Sequence, residues 1–162
     1  GGVGGEGRLA DRPARGLNVL GLQGGDDLGR SQVARGGLVA LLERLDELQV
    51  LVDEAPRVLR VGWCTVVHST DSGVERVAAS HGAPETQAQS APWLPLERAS
   101  TLNGTEPWVP QVWSDMDTTL AAAPLGDHNT AILLGRPGGP GFRPSEVARL
   151  GYLAGIVATI LR

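Results

Sequence analysis

Two short connections constrain this chain more than any other feature. "VGWCTVVHS" (Val61–Ser69) and "VERVAAS" (Val74–Ser80) read as strands, with only Thr70-Asp71-Ser72-Gly73 between them. Further on, "TLAAAPLG" and "HNTAILLGRP" form a second such pair around Gly126-Asp127. Apolar runs separated by a few Gly- and Asp-containing residues pair as hairpins. So short a connection joins antiparallel neighbours, because a parallel crossover needs about a dozen residues or more. A sheet seeded by two hairpins is antiparallel.

The hairpins are bracketed by helical patterns. Leu38, Leu41, Leu45, Leu48, Val52, Ala55 and Leu59 recur at spacings of three and four, the stripe of an amphipathic helix. Asp46 with Gln49 three residues on predicts a capping box that splits this segment into two helices. Pro56 predicts a kink, since it has no N–H to offer residue 52. After Pro144 and Ser145, a second stripe runs through Val147, Leu150, Ala154, Val157 and Leu161. The middle is irregular. Residues 82 to 92 read as a loop, Leu96 to Leu102 as one or two helical turns, and "PWVPQVW" (Pro107–Trp113) as an edge strand bearing two prolines. The order predicts an α+β fold, an antiparallel sheet with the N- and C-terminal helices packed on one face, rather than βαβ units.

Composition narrows the chemistry. A chain of 162 residues supports one core. Residues 1–35 read as a flexible Gly/Arg-rich leader or linker and 36–162 as the domain. A net charge of −4 gives no footprint for direct nucleic-acid or membrane binding. All 14 basic residues are Arg, so a lysine nucleophile, Schiff base or P-loop lysine is excluded. "GGVGGEG" and "GLQGGDDLG" therefore do not read as phosphate loops. Cys64 is the sole cysteine, which excludes internal disulfides. No apolar run reaches membrane-spanning length and no signal-peptide pattern opens the chain, so a cytoplasmic location is expected.

Asp115-Met116-Asp117-Thr118-Thr119 fits the DxDxT signature of haloacid-dehalogenase-type phosphoryl transfer. That chemistry needs a nucleophilic Asp on a buried parallel strand, with a later cation and acidic pair. After Asp117 the chain holds only Asp127, Glu146 and no Lys. The aspartates read as turn residues. His68, His81 and His128 lack metal-ligand spacing and read as structural or solvated. Asn103-Gly104-Thr105 reads as a turn rather than a glycosylation site. No convergent catalytic set emerges, and no enzyme activity is expected.

"VGWCTVVHS" after "LLERLDELQVLVDEAPRVLR", then "NGTEPWVPQVWSDMD", "TLAAAPLGDHNTAILLGRP" and "GFRPSEVARLGYLAGIVATILR", resemble in order and spacing the segments of a GAF domain of the actinobacterial regulator type. The resemblance covers about Leu38 to Arg162. It implies a GAF/PAS-like sheet in which DMDTT is a connection between elements. It also implies a sensory role in signal transduction ahead of an output domain such as a transcription regulator. Departures limit it. The N-K-x-F-D-E motif of cyclic-nucleotide binders is absent, Cys64 is not in a bilin-attachment context, and His128 is poorly placed for haem, so no cofactor is assigned.

Two readings follow. In the first, the sheet face away from the helices encloses a small apolar ligand. Its candidates are Cys64, Val66 and His68 on one face of a strand, with Trp93, Trp108, Trp113, Met116 and Ala122. A slip of one residue would exchange the first three for Trp63, Thr65 and Val67. In the second, the domain binds no ligand and homodimerises through its terminal helices. A large closed pocket favours the first reading; a filled core with exposed apolar helix faces favours the second.

Overall fold

The structure, a computed structural model, describes Val39 and residues 42–161. The leader reading over 1–35, and Leu38 and Leu41 of the first stripe, lie outside the described residues. The elements in chain order are α1 (Leu45–Leu59), β1 (Trp63–Thr70), β2 (Gly73–Ala79), β3 (Ser100–Leu102), α2 (Gln111–Asp115), β4 (Thr119–Leu125), β5 (Asp127–Arg136) and α3 (Pro144–Leu161). The strands form one five-stranded antiparallel sheet of order β2-β1-β5-β4-β3.

Both hairpins form. Thr70 pairs with Gly73 across a two-residue turn, and Leu125 pairs with Asp127 around Gly126. Gly126 has φ 94°, in the left-handed region that a side chain disfavours. Val77 has no partner on β1, a bulge that strengthens the local twist.

α1 turns Leu48, Val52 and Ala55 toward the sheet. The segment does break, at a turn on Arg44, but not through a capping box. Gln49 instead spends its amide on Asp53 Oδ1 (3.1 Å) and on the Ala79 carbonyl (2.9 Å), where it ties α1 to β2. Pro56 sits in the last stretch of α1, and the helix stops soon after it. The Arg60 and Val61 N–H groups both return to the Pro56 carbonyl, with Arg60 left-handed at φ 58°. Pro56 leaves the Val52 carbonyl without its helical donor. The Cys64 thiol, 3.2 Å away, supplies one from β1.

Two middle elements differ from expectation. Leu96–Leu102 contains β3 instead of helical turns, because Ser100, Thr101 and Leu102 pair with Ala122, Ala121 and Leu120 and cover the outer edge of β4. Pro107–Trp113 is not an edge strand. Pro110 has φ −57°, which suits a helix entry, and the chain turns into α2 there.

Two cores result. Cys64, Val66, Ala121, Ala123, Ile132 and Leu134 on one sheet face pack with Leu48, Val52 and Ala55 of α1 and Leu150 and Ala154 of α3. On the other face Trp63, Leu120, Ala122 and Leu133 pack with Val109 and Trp113 of the middle segment. No helix among the described residues is long and apolar enough to cross a membrane.

Candidate functional site

The middle segment lays a row of indoles on the sheet. Trp63 of β1 meets Trp113 of α2 with ring centroids 5.1 Å apart. Trp113 meets Trp108 edge-on at 6.4 Å, and Trp108 meets Trp93 at 5.8 Å. Tilted and edge-to-face pairs at these separations suit the quadrupoles of aromatic rings. The row has a backbone requirement. Trp63 pairs with Gly135, and a Cβ at Gly135 would lie 2.1 Å from Trp63 Cε2. The indole lies across a strand that must lack a side chain there.

Two indole nitrogens differ. Trp113 Nε1 donates to the Thr86 carbonyl at 3.2 Å, which pins α2 to the long loop after β2. The Trp93 Nε1–H is buried and has no hydrogen-bond partner among the described residues. Beside the row, Thr65, Val67 and Leu133 of the sheet and Ala88, Trp93, Trp108 and Trp113 line a cavity of about 20 Å³. That is room for about one water molecule.

The sequence-derived candidates divide between the faces. Trp93, Trp108, Trp113 and Ala122 lie together on the indole face. Cys64 and Val66 do not join them, because both are in the core under α1 and α3. Cys64 is committed to the Val52 carbonyl, and burial, helped by the nearby Asp53 charge, pushes its thiol up to about 12. His68, in step with them on β1, is buried, with Nδ1 2.7 Å from the hydroxyl of Thr130 opposite. The one-residue slip is therefore realised, with Trp63, Thr65 and Val67 facing the indoles. Met116 is also apart, at the end of α2 and 56% exposed.

Of the aspartates of DMDTT, Asp115 ends α2 and Asp117 lies in the turn that follows. Asp115 accepts from Gln111 Nε2 at 2.9 Å, and exposed Asp117 has φ 51°. The strand that follows is antiparallel to its neighbours. Asn103 forms a turn of its own, its Oδ1 accepting from both the N–H and hydroxyl of Thr105. His81 and His128 are exposed while His68 is buried, and no group of three His, Cys, Asp or Glu among the described residues is placed to hold a metal ion.

The sequence readings missed Trp63 as a first choice, and they missed Gly135 and Arg136. Arg136, on the helix face at the end of β5, donates from Nε to the Arg60 carbonyl at 3.1 Å and from Nη2 to Glu146 Oε2 at 2.7 Å. Its guanidinium lies 4.3 Å from the Phe142 ring centroid. One side chain thus joins the end of α1 to the start of α3. The only sequence signal for it was a charged residue directly after the apolar run Ala131–Gly135.

No family model and no curated protein matches the chain. Solved structures do. The chain is similar to the cyanobacteriochrome receptor PixJ, at 16% identity and a TM-score of 0.57, covering 75% of this chain and 97% of that one. It is similar to the PixJ GAF domain of Thermosynechococcus elongatus, at 14% identity and a TM-score of 0.54, covering 76% and 88%. A GAF domain/HD domain protein from Geobacter sulfurreducens matches at 16% identity and a TM-score of 0.52, covering 74% and 95%. The fold is that of a GAF domain. In this GAF fold the terminal helices share one sheet face, and the segment from β2 to β4 covers the other with indoles.

Proposed function

We propose that this GAF-fold domain is a non-catalytic regulatory module that homodimerises through its terminal helices, and that α3 carries most of the contact. One observation supports this above the others. From Leu150 to Leu161 α3 contains no charged residue, yet Tyr152, Ile156 and Ile160 on it are 70%, 42% and 64% exposed. A helix apolar all round is built to be buried all round. The exposed three recur every fourth residue and form one stripe. A second copy offers the same stripe about a twofold axis. Val50 of α1 is likewise an exposed apolar side chain, at 65%. The signal passed to an output domain, such as a transcription regulator, is then the relative setting of the paired helices. Sedimentation of the 162-residue chain across a concentration series tests this. A dimer that Ile156→Glu or Ile160→Glu dissociates, with helical circular dichroism unchanged, supports it. A monomer throughout the series refutes it.

Ligand sensing at the indole row is the second reading, and the unpartnered Trp93 N–H favours it. A ligand there would accept that hydrogen bond. The cavity holds no more than about one water, so binding would require the middle segment to move outward. Tryptophan fluorescence and thermal melting against a metabolite panel read this directly. A saturable spectral change with a rise in melting temperature supports it. No response sends the reading back to dimerisation alone.

A further inference from the structure

The larger cavity lies on the opposite face from the indoles. Between α1 and α3 is a space of about 190 Å³. It has a simple cause. α1 packs mainly over β1 and β2, and α3 over β4, so neither helix is centred on central strand β5. The helices turn small side chains, Ala55 and Ala154, toward the gap, with Val58 and Leu153 on its flanks and Leu125 and Ile132 beneath.

We propose that this gap is a binding site for a small uncharged apolar molecule, about the size of a substituted benzene or a short branched alkane. Volume and lining both select that class. Cavities of about 150 Å³ lined by aliphatic side chains stay dry and take up benzene. The side chains named offer no donor or acceptor, so a polar ligand would lose its hydrogen bonds to water without replacement. The one ionisable residue at the rim, Glu54, is exposed and paired with Arg57, so it adds no unpaired charge at the mouth. The occupant would touch α1 and α3 together and set their spacing. The site does not depend on dimerisation, because Tyr152, Ile156 and Ile160 belong to the exposed side of α3 while Leu153 and Ala154 line the gap.

The three isoleucines separate these surfaces. Ile132 lies in the gap, and Ile156 and Ile160 lie on the exposed stripe. The full chain, labelled at isoleucine δ1 methyls, is titrated with toluene and followed by carbon–proton correlation spectra. The expected result is a saturable shift of the Ile132 methyl, with Ile156, Ile160 and the tryptophan indole N–H signals unmoved. The melting temperature should rise by about 3–6 °C at toluene tenfold above its Kd. Ala154→Leu should abolish the shift by filling the gap. Leu153→Phe serves the same purpose from the flank should the first variant overpack against β4. The proposal is overturned by an unresponsive Ile132 methyl, or by an equal shift in a folded, filled variant. It is also overturned by an Ile132 signal that moves with protein concentration alone, which would make the gap an interface between copies.

Discussion

One face of the sheet is closed by aliphatic side chains from two helices, the other by indoles from a loop-rich segment. The helices leave a space of about 190 Å³, the indoles only about 20 Å³. Regular elements are the poorer filler here. A helix presents a fixed stripe and must lie over a few strands, so two helices on five strands leave a furrow between them. An irregular segment can place each ring where space exists. It is limited only by what the strands beneath present, and Gly135 shows the sheet yielding a side chain to admit Trp63. Tight packing on one side and slack on the other locates the fragile and the adjustable parts of the molecule.

The largest effect should therefore come from the indole face. Trp63→Ala removes the ring that joins sheet to middle segment, and should cost about 3–5 kcal/mol, the range for large aromatics deleted from cores. Urea denaturation of the variant checks this. Gly135→Ala attacks the same contact from the other strand and should cost about 1–3 kcal/mol by overpacking. Combined with Trp63→Ala, its cost should largely vanish, since the atoms it strikes are gone. A full additive penalty would mean that Gly135 is needed for its backbone and not for the ring.

These faces were unequally readable from the sequence. The hairpins were plain because Asp-Ser-Gly and Gly-Asp are turn residues between apolar runs. The helix stripes were plain because α1 is charged on its outer side. Which residues of β1 face which way was not plain, and the reason is physical. Trp63 through His68 are all buried, so the polar–apolar alternation that marks a strand's inner face is absent. Cys64, Val66 and His68 were thus read onto the wrong side. β3 has three residues and α2 has five, too few for either periodicity to register. Trp93, Trp108 and Trp113 were found as a group because large aromatics in a loop need somewhere to pack. Trp63, their fourth member, came from a strand, and Gly135 would have identified it only through a register that sequence does not give.

A second effect sits at one end of the helix face. Arg136 holds Glu146 first by a side-chain hydrogen bond, the Arg143 N–H adds another at 2.8 Å, and the Glu146 carboxyl falls from 4.5 to about 2. A carboxylate favoured in the folded state stabilises it above its unfolded pKa. That contribution should be complete above about pH 4.5 and disappear as pH falls toward 2. The urea midpoint should decline across this window, and Glu146→Gln should flatten that part of the decline. Arg136→Met should cost about 2 kcal/mol at neutral pH, below the range for fully buried pairs because Glu146 remains a quarter exposed. If α1 and α3 are held at this end chiefly by Arg136, the variant should also weaken toluene binding in the gap beside it. Unchanged binding would make the clamp a local staple and the gap a property of the apolar packing alone.

The smallest effect tests how the helix face manages its own irregularity. Pro56 withholds an N–H from the Val52 carbonyl, and the Cys64 thiol supplies a weak donor instead. Cys64→Ala removes that donor and the sulfur's packing, and should cost about 1–2 kcal/mol. In a Pro56→Ala background the helix can satisfy Val52 itself, so the same Cys64→Ala change should cost about 0.5–1 kcal/mol less. The difference is the coupling of a double-mutant cycle, which cancels whatever Pro56→Ala does to the unfolded chain. Zero coupling would mean that the thiol is held at Val52 by packing from Leu134 and its neighbours, and the contrast between the faces would then be one of volume only. A coupling of the expected size would show the helix face correcting a backbone defect through a strand side chain. Cys64 is in that case bound to structure, consistent with a thiol pushed up to about 12. Its labelling by a thiol reagent should then follow the rate at which the protein opens.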